Sequence, residues 1–452
     1  MLRKQAPRRS HGTWTPAADR ADPIALLQAQ DTGRIEQLLP IKYGRMVASP
    51  FAFLRGSAAV MAADLAATPV TGLNVVLCGD AHLSNFGLFA SPERQLVFDM
   101  NDFDEAYPGP WEWDLKRLAA STVVAGRENG FSEKTCRKLV STVVETYRNF
   151  TERFAQMHAL DVWYFHVDAD AVLAVFEEAA SKKGTKRAQK LVDKAQTRTH
   201  EQTLEKLTQI NSGRRRIISD PPLLVPFRDM GLEQAYSEEQ LRQMREKSVE
   251  SAWQQYLDSL PDERRYLLGR FRIVDGALRV GGVGSVGTRC MIVLIEGEAS
   301  DDALILQLKE AGPSVLETHL PKRGYAGPAE RVVTGQRLMQ ATNDIFLGWH
   351  TAQLTDRDYY WRQLKDMKGS VDVAGMDEKS FETYMALCAV CLARAHARTG
   401  DEAGVWGYIG GNDTFAEAIG DFAVAYADQT ERDHQALEKA IKLGRISAET
   451  EI

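Results

Sequence analysis

Two motifs far apart in the chain constrain its fold more than any other feature. Gly79-Asp80-Ala81-His82-Leu83-Ser84-Asn85 comes early, and Gly282-Val283-Gly284-Ser285-Val286-Gly287, followed by Lys309, comes well past the middle. The first supplies a carboxylate and an amide at a strand-to-loop junction, and the second a glycine loop and a cation. For both to serve one site, the chain must fold into two lobes that close on each other. The length of 452 residues agrees, because single cores stop growing below that size and clefts between lobes are where ligands bind.

Composition narrows the functional classes. Hydrophobic residues make up 44% and charged residues 26%, ordinary globular values, and no apolar run reaches the ~18 residues of a membrane span. The net charge of −7 argues against a general nucleic-acid binder, which neutralises phosphates with a basic surface. Cys78, Cys136, Cys290, Cys388 and Cys391 are odd in number and mostly scattered, poor material for a disulfide framework and consistent with a reducing, cytoplasmic setting. Cys388 and Cys391 lie within an apolar helical run, where packing is the expectation. The basic N-terminus lacks the apolar stretch of a secretory signal.

Along the chain, residues 1–35 are polar and read as an arm. Ser49-Pro50 starts a helix. Residues 73–77 read as a buried strand, and 86–90 with 95–100 as a hairpin leading into Asn101-Asp102-Phe103-Asp104-Glu105. From 111 to about 260 the pattern is helical, including the basic stretch from Lys182 to Arg198 that Arg214-Arg215-Arg216 follows. Short strands are expected at 271–274, 277–280, 290–295, 303–309, 344–349 and 358–364, with a helix over 329–340 and closing helices over 380–398 and 414–443. The fold class is α+β, divided as an arm (1–35), a helical lobe with the acidic loop (36–265), a β-rich lobe (266–370) and helices completing the helical lobe (371–452).

Asp80 and Asn85 stand five apart, the spacing at which phosphoryl-transfer enzymes place a proton-accepting carboxylate and a metal-holding amide. Hard Mg²⁺ ions take carboxylate, amide and phosphate oxygens, so Asn85 and Asp102 are the expected metal ligands, with Asp104 assisting and Asp99 a rival. Gly282, Gly284 and Gly287 lie between apparent strands, suiting a phosphate-covering loop. Lys309 is the phosphate-binding cation, oriented by Glu330, with Glu317 as second choice. Strand 359–364 falls where an inter-lobe hinge belongs. Arg55, Arg331 and Arg337 sit in apolar helical settings, where arginines pair with acids or phosphates.

The run Gly79-Asp80, Asn85, Asp102-Phe103-Asp104 and Asp114-Leu115 resembles the catalytic and metal-binding stretch of aminoglycoside and choline kinases. The helix over 387–398 resembles the one that precedes the catalytic loop there. With the catalytic loop first and the β-rich lobe last, the resemblance implies a circularly permuted, two-lobed kinase-like fold that binds ATP and Mg²⁺ and phosphorylates a small-molecule hydroxyl acceptor. Phe51-Ala52-Phe53-Leu54-Arg55-Gly56, Asn101-Asp102-Phe103-Asp104-Glu105, Lys309-Glu310-Ala311 and Arg331-Val332-Val333-Thr334-Gly335-Gln336-Arg337 also resemble, with nearly the full length of the chain, the bacterial family called domain of unknown function 2252, which implies no activity. Adenylyl transfer and a non-catalytic nucleotide-binding module remain open alternatives. So does a metallophosphoesterase-like hydrolase, because Gly79-Asp80-Ala81-His82 resembles one calcineurin-type block. The upstream Asp-x-His is missing, however, and Gly411-Asn412-Asp413 lacks the His of the downstream block. His82 is expected to order its loop by hydrogen bonding.

Overall fold

Helix starts follow the available caps. Ser49 accepts from Ala52 N and Pro50 fills the first turn of the helix Pro50–Gly56, as the Ser-Pro pair predicts. Ser132 caps Glu133–Ala155, where buried Cys136, Leu139, Val140, Val143, Val144 and Tyr147 recur at the spacing of one helical face. That face packs on Glu378–Ala397, and both join Glu112–Glu128 and Thr414–Lys442 around an apolar core drawn from residues Phe51 to Ala427. Helices from the two ends of the chain therefore share one core. The computed structural model describes residues 2–231, 248–280, 286–299, 302–353, 355–364 and 366–450. Among them no helix is long and apolar enough to cross a membrane.

The N-terminal arm wraps onto this bundle. Arg3 and Arg8 donate to Gly407 O, Tyr408 O and Ile409 O, filling the carbonyls that end the helix Glu402–Ile409. His11 is fully buried, with Nε2 2.7 Å from Tyr408 Oη.

The described strands are β1 (Asn74–Leu77), β2 (Phe86–Ala90), β3 (Leu96–Met100), β4 (Tyr107–Pro110), β5 (Val167–Asp168), β6 (Thr208–Asn211), β7 (Arg214–Ile217), β8 (Leu224–Pro226), β9 (Arg272–Arg279), β10 (Cys290–Glu296), β11 (Ala303–Ala311), β12 (Gly348–Ala352), β13 (Arg357–Gln363) and β14 (Gly369–Ser370). The largest sheet runs β12-β13-β11-β10-β9-β8 with every pairing antiparallel. Alternation along β11 gives it two covered faces. Leu304, Leu306 and Leu308 pack with Trp361 and Tyr256, whose rings stack at 4.4 Å. Ala303 and Ile305 pack on the opposite face with Ile292 and Leu294. Farther along that second face the side chains become polar, first Gln307 and then Lys309.

Segments before residue 266 help build this sheet: β8 extends its edge and the helix Glu250–Asp258 supplies Tyr256. The helical pattern expected there breaks at Ser212-Gly213, where φ values of 50° and 75° turn the chain into the β6–β7 hairpin. Arg214-Arg215-Arg216 is thus strand, and Ile217 is buried beneath the sheet. The strand expected from 344 begins only at Gly348, because Asp344 accepts from Phe346 N in a turn. β14-β2-β3-β5 and β1-β4 form smaller sheets within the helical half.

Burial, reinforced by the nearby Lys116 ammonium, pushes the His11 ring down to about 3. The unfolded chain takes up this proton near the ordinary value of 6.5 and the folded chain does not, so stability falls as pH drops below that value. Between pH 7 and pH 5 this one site should cost the fold about 2 kcal/mol. In urea titrations at the two pH values, His11→Phe should show a smaller loss than the parent protein; equal losses would contradict the assignment.

Candidate functional site

Two strand pairings assemble the acidic motif. Leu77 of β1 lies opposite Tyr107 of β4, so the loop after Leu77 and the loop before Tyr107 leave one end of that ladder. Phe86 of β2 lies opposite Met100 of β3, which sends Asn85 and Asn101-Asp102 out of one end of the hairpin. Gly79 adopts φ +78°, and a Cβ there would fall 2.3 Å from Glu105 O; only glycine lets the two loops run together. Asp114, in the first turn of Glu112–Glu128, accepts from Cys78 N at 2.7 Å and Gly79 N at 2.9 Å. His396 Nε2 stands 3.3 Å from the same carboxylate, and Tyr147 Oη is 2.8 Å from His396 Nδ1. Asp114 therefore clamps the loop backbone.

Asp80 is not isolated. Its Oδ1 accepts from Arg117 Nε at 2.5 Å, and Arg117 Nη2 donates to Leu54 O at 2.8 Å. Burial raises the Asp80 carboxyl above its ordinary value despite the opposing pull of Arg117. His82 Nε2 is 3.6 Å from Asp80 Oδ2; burial first, then Arg117 and Arg55, hold its ring far below its ordinary value and neutral. Asn85 Nδ2 donates to Asp80 O at 2.7 Å, which fixes the amide and leaves its carbonyl oxygen for another partner. Asp99 belongs to the core: Arg394 Nη2 donates to both its oxygens at 2.8 Å, and Ala341 N to Oδ2 at 2.8 Å.

The six-stranded sheet delivers the second motif to the same place. In the β11–β13 register Lys309 faces Tyr360 and Gln307 faces Arg362. Lys309 Nζ lies 3.2 Å from Asp104 Oδ2, and Tyr360 Oη donates to Asp104 Oδ1 at 2.5 Å. Burial alone would raise Asp104, but Lys309 and Tyr360 overcome it and pull the carboxyl down. Burial would likewise lower Lys309, yet Asp102 and Asp104 hold it well above its usual value. Asp102 is raised by burial and by the Asp104 charge, with Lys309 opposing. Arg331 ties this arrangement across the halves, donating to Ala106 O, Asp104 O and Gly312 O at 2.7–2.9 Å.

The partner of Lys309 differs from expectation. Glu330 accepts from Ala326 N at 2.5 Å at the start of its own helix, and Glu317 accepts from Ser314 N and faces Arg331 Nε at 3.4 Å. The acid beside Lys309 is Asp104, whose Oδ2 faces Lys309 Nζ and whose Oδ1 accepts from Tyr360 Oη. Gly287 has φ +88° and its carbonyl accepts from Ile35 N at 2.7 Å; Gly282 and Gly284 lie outside the described residues.

Asp80, Asn85, Asp102 and Lys309 open onto one cleft of about 620 Å³. Phe89, Val280, Ile345 and Leu364 are among the apolar side chains that line it. Among the described residues no three His, Cys, Asp or Glu side chains gather as a metal cage. Among the oxygen donors that line the cleft, the Asn85 amide and the Asp102 carboxylate suit a hard cation whose remaining ligands come from phosphate and water. Arg117, Tyr360 and Arg362 escaped the sequence reading. Arg117 follows Asp114 by three positions on one helical face, a usable signal; Tyr360 and Arg362 depend on strand register, which leaves none.

The family described as an uncharacterized protein conserved in bacteria (DUF2252) matches residues 34–440. No curated protein and no solved structure matches the chain.

If Asp99 is a core residue, Asp99→Ala strands the buried Arg394 guanidinium and should cost about 3–5 kcal/mol in urea denaturation. Adding Arg394→Met should recover most of that loss. A fully stable Asp99→Ala would contradict this placement.

Proposed function

The chain belongs to this bacterial family, DUF2252, and from that premise we propose that it is an ATP- and Mg²⁺-dependent phosphotransferase of kinase-like, two-lobed and circularly permuted design, acting on a hydroxyl acceptor. One observation carries the reading: Lys309 and its partner Asp104, from segments remote in sequence, meet at 3.2 Å beside Asp102, in the cleft that Asp80 and Asn85 also line. Phosphoryl transfer rests on positioning and charge stabilisation, and this set supplies both. The sharing of one core by helices from both chain ends supports the permuted arrangement.

In the proposed reaction the acceptor oxygen bonds to the γ-phosphorus as the bridge to the β-phosphate breaks. ADP leaves with the electron pair, and the hydroxyl proton passes to the Asp80 carboxylate. Lys309 and Arg362 face the charge on the transferred group. Asn85 and Asp102 would hold Mg²⁺, which when bound neutralises phosphate charge. Phe89, Val280, Ile345 and Leu364 offer an apolar seat for the adenine ring.

The Arg117–Asp80 ion pair favours a second reading, a nucleotide-binding module without turnover, because the pair restrains the base. A two-metal phosphoesterase is less favoured, since the described residues do not assemble the His and Asp ligands it requires.

ATP with Mg²⁺ should raise the melting temperature by a few degrees, as expected for a ligand near a hundredfold its Kd. Lys309→Ala and Asp102→Ala should each remove the rise. Asp80→Asn should keep it while slowing transfer at least ~10²-fold. Binding that none of the three alters would contradict the site, and unchanged turnover in Asp80→Asn would contradict the base.

A further inference from the structure

The cleft is strongly cationic. Seven arginines and lysines line it against four aspartates, although the chain as a whole carries −7. Several of these cations are committed: Lys309 to Asp104, Arg94 to Asp366, and Arg198 to Lys368 O. Arg55 is not. Among the described residues its guanidinium makes neither a hydrogen bond nor an ion pair, and its Nε is buried without a partner. Asp80, Asp102 and Asp372 act on it only through their longer-range field. Arg55 is half-buried, and leaving its enclosed Nε without an acceptor is costly, so a guanidinium opening onto the cleft from this position calls for an anion.

The position of Arg55 is fixed by the same residue that holds Asp80. Arg117 binds the Asp80 carboxylate through Nε and Leu54 O through Nη2, and Leu54 immediately precedes Arg55 in the last turn of Pro50–Gly56. Arg55 thus stands on the helical side of the cleft beside the proton acceptor, whereas Lys309, Arg279 and Arg362 rise from the sheet on the nucleotide side.

We propose that Arg55 seats an oxyanion of the second substrate, which makes the acceptor a hydroxyl compound bearing its own carboxylate or phosphate. This inference rests on the phosphotransferase reading and extends it to the substrate class. A guanidinium fork matches either oxyanion, and the surplus of positive charge repels a cationic acceptor. The arrangement places the anionic substituent beside Arg55 and the hydroxyl beside Asp80.

The test is calorimetric titration of the full chain saturated with AMP-PNP and Mg²⁺, using inorganic phosphate, glycerol 3-phosphate, glycerate and choline in turn. The parent protein should bind phosphate and at least one of the two organic anions, the stronger identifying the substituent, and should not bind choline. Arg55→Gln should weaken anion binding at least about tenfold while leaving AMP-PNP affinity unchanged; Arg55→Lys, which keeps the charge, should weaken it less and serves if Arg55→Gln fails to fold. No phosphate binding to the nucleotide-bound parent, equal binding by Arg55→Gln, choline binding, or loss of AMP-PNP affinity in Arg55→Gln would each overturn the inference alone. Failure of AMP-PNP to bind the parent protein would overturn the function beneath it.

Discussion

A partly buried ion pair between Lys309 and Asp104 holds the candidate site together. Lys309 stands on a strand in the middle of the six-stranded sheet, and Asp104 in the loop between two small strands of the helical half. Their side chains meet at 3.2 Å, with Tyr360 Oη on the other carboxylate oxygen. A pair taken out of water repays its desolvation only when remaining donors and acceptors are filled, and Tyr360 does part of that filling. Arg331 reinforces the junction through backbone carbonyls on both sides. The packing of the sheet on the acidic loop and the charge lining the cleft therefore depend on the same few contacts.

Neighbouring carboxylates divide the work according to their partners. Asp99, with Arg394, stabilises the core. Asp114 holds two consecutive backbone N–H groups and is backed by His396 and Tyr147, a chain of buried hydrogen bonds that rigidifies the loop bearing Asp80. Asp104 is given over to Lys309. Of these five, Asp80 and Asp102 line the cleft, and burial raises both. Five aspartates within 35 residues of sequence thus take different tasks because different cations and backbone groups reach them.

Local chemistry was legible in the sequence where it acts locally. Ser49-Pro50 announced a helix, the alternation around Ser91-Pro92-Glu93 announced the β2–β3 hairpin, and the apolar spacing of 380–398 and 414–443 announced the long closing helices. The hairpin also implied that Asn85 and Asp102 would lie together, since its ends must meet. What stayed hidden depends on pairing across long stretches of chain. Nothing near Lys309 marks Asp104 as its partner rather than Glu330; the choice follows from where the sheet sits on the loop. Tyr360 enters the site only through the β11–β13 register. The strand β8 escaped notice because a three-residue edge strand beside a proline pair carries too little pattern, and Arg117 because its place on the helical face of Asp114 does not by itself name Asp80 as its partner.

On the proposed function, two motifs from remote parts of the chain make one nucleotide site. A crystal structure of the protein with AMP-PNP and Mg²⁺ tests it most directly. The triphosphate should lie between Lys309 and Asp102, with the metal on the Asn85 amide oxygen and the Asp102 carboxylate and the terminal phosphate directed toward Asp80. A nucleotide bound elsewhere, or bound in this cleft without contact to either Lys309 or Asp102, would contradict it.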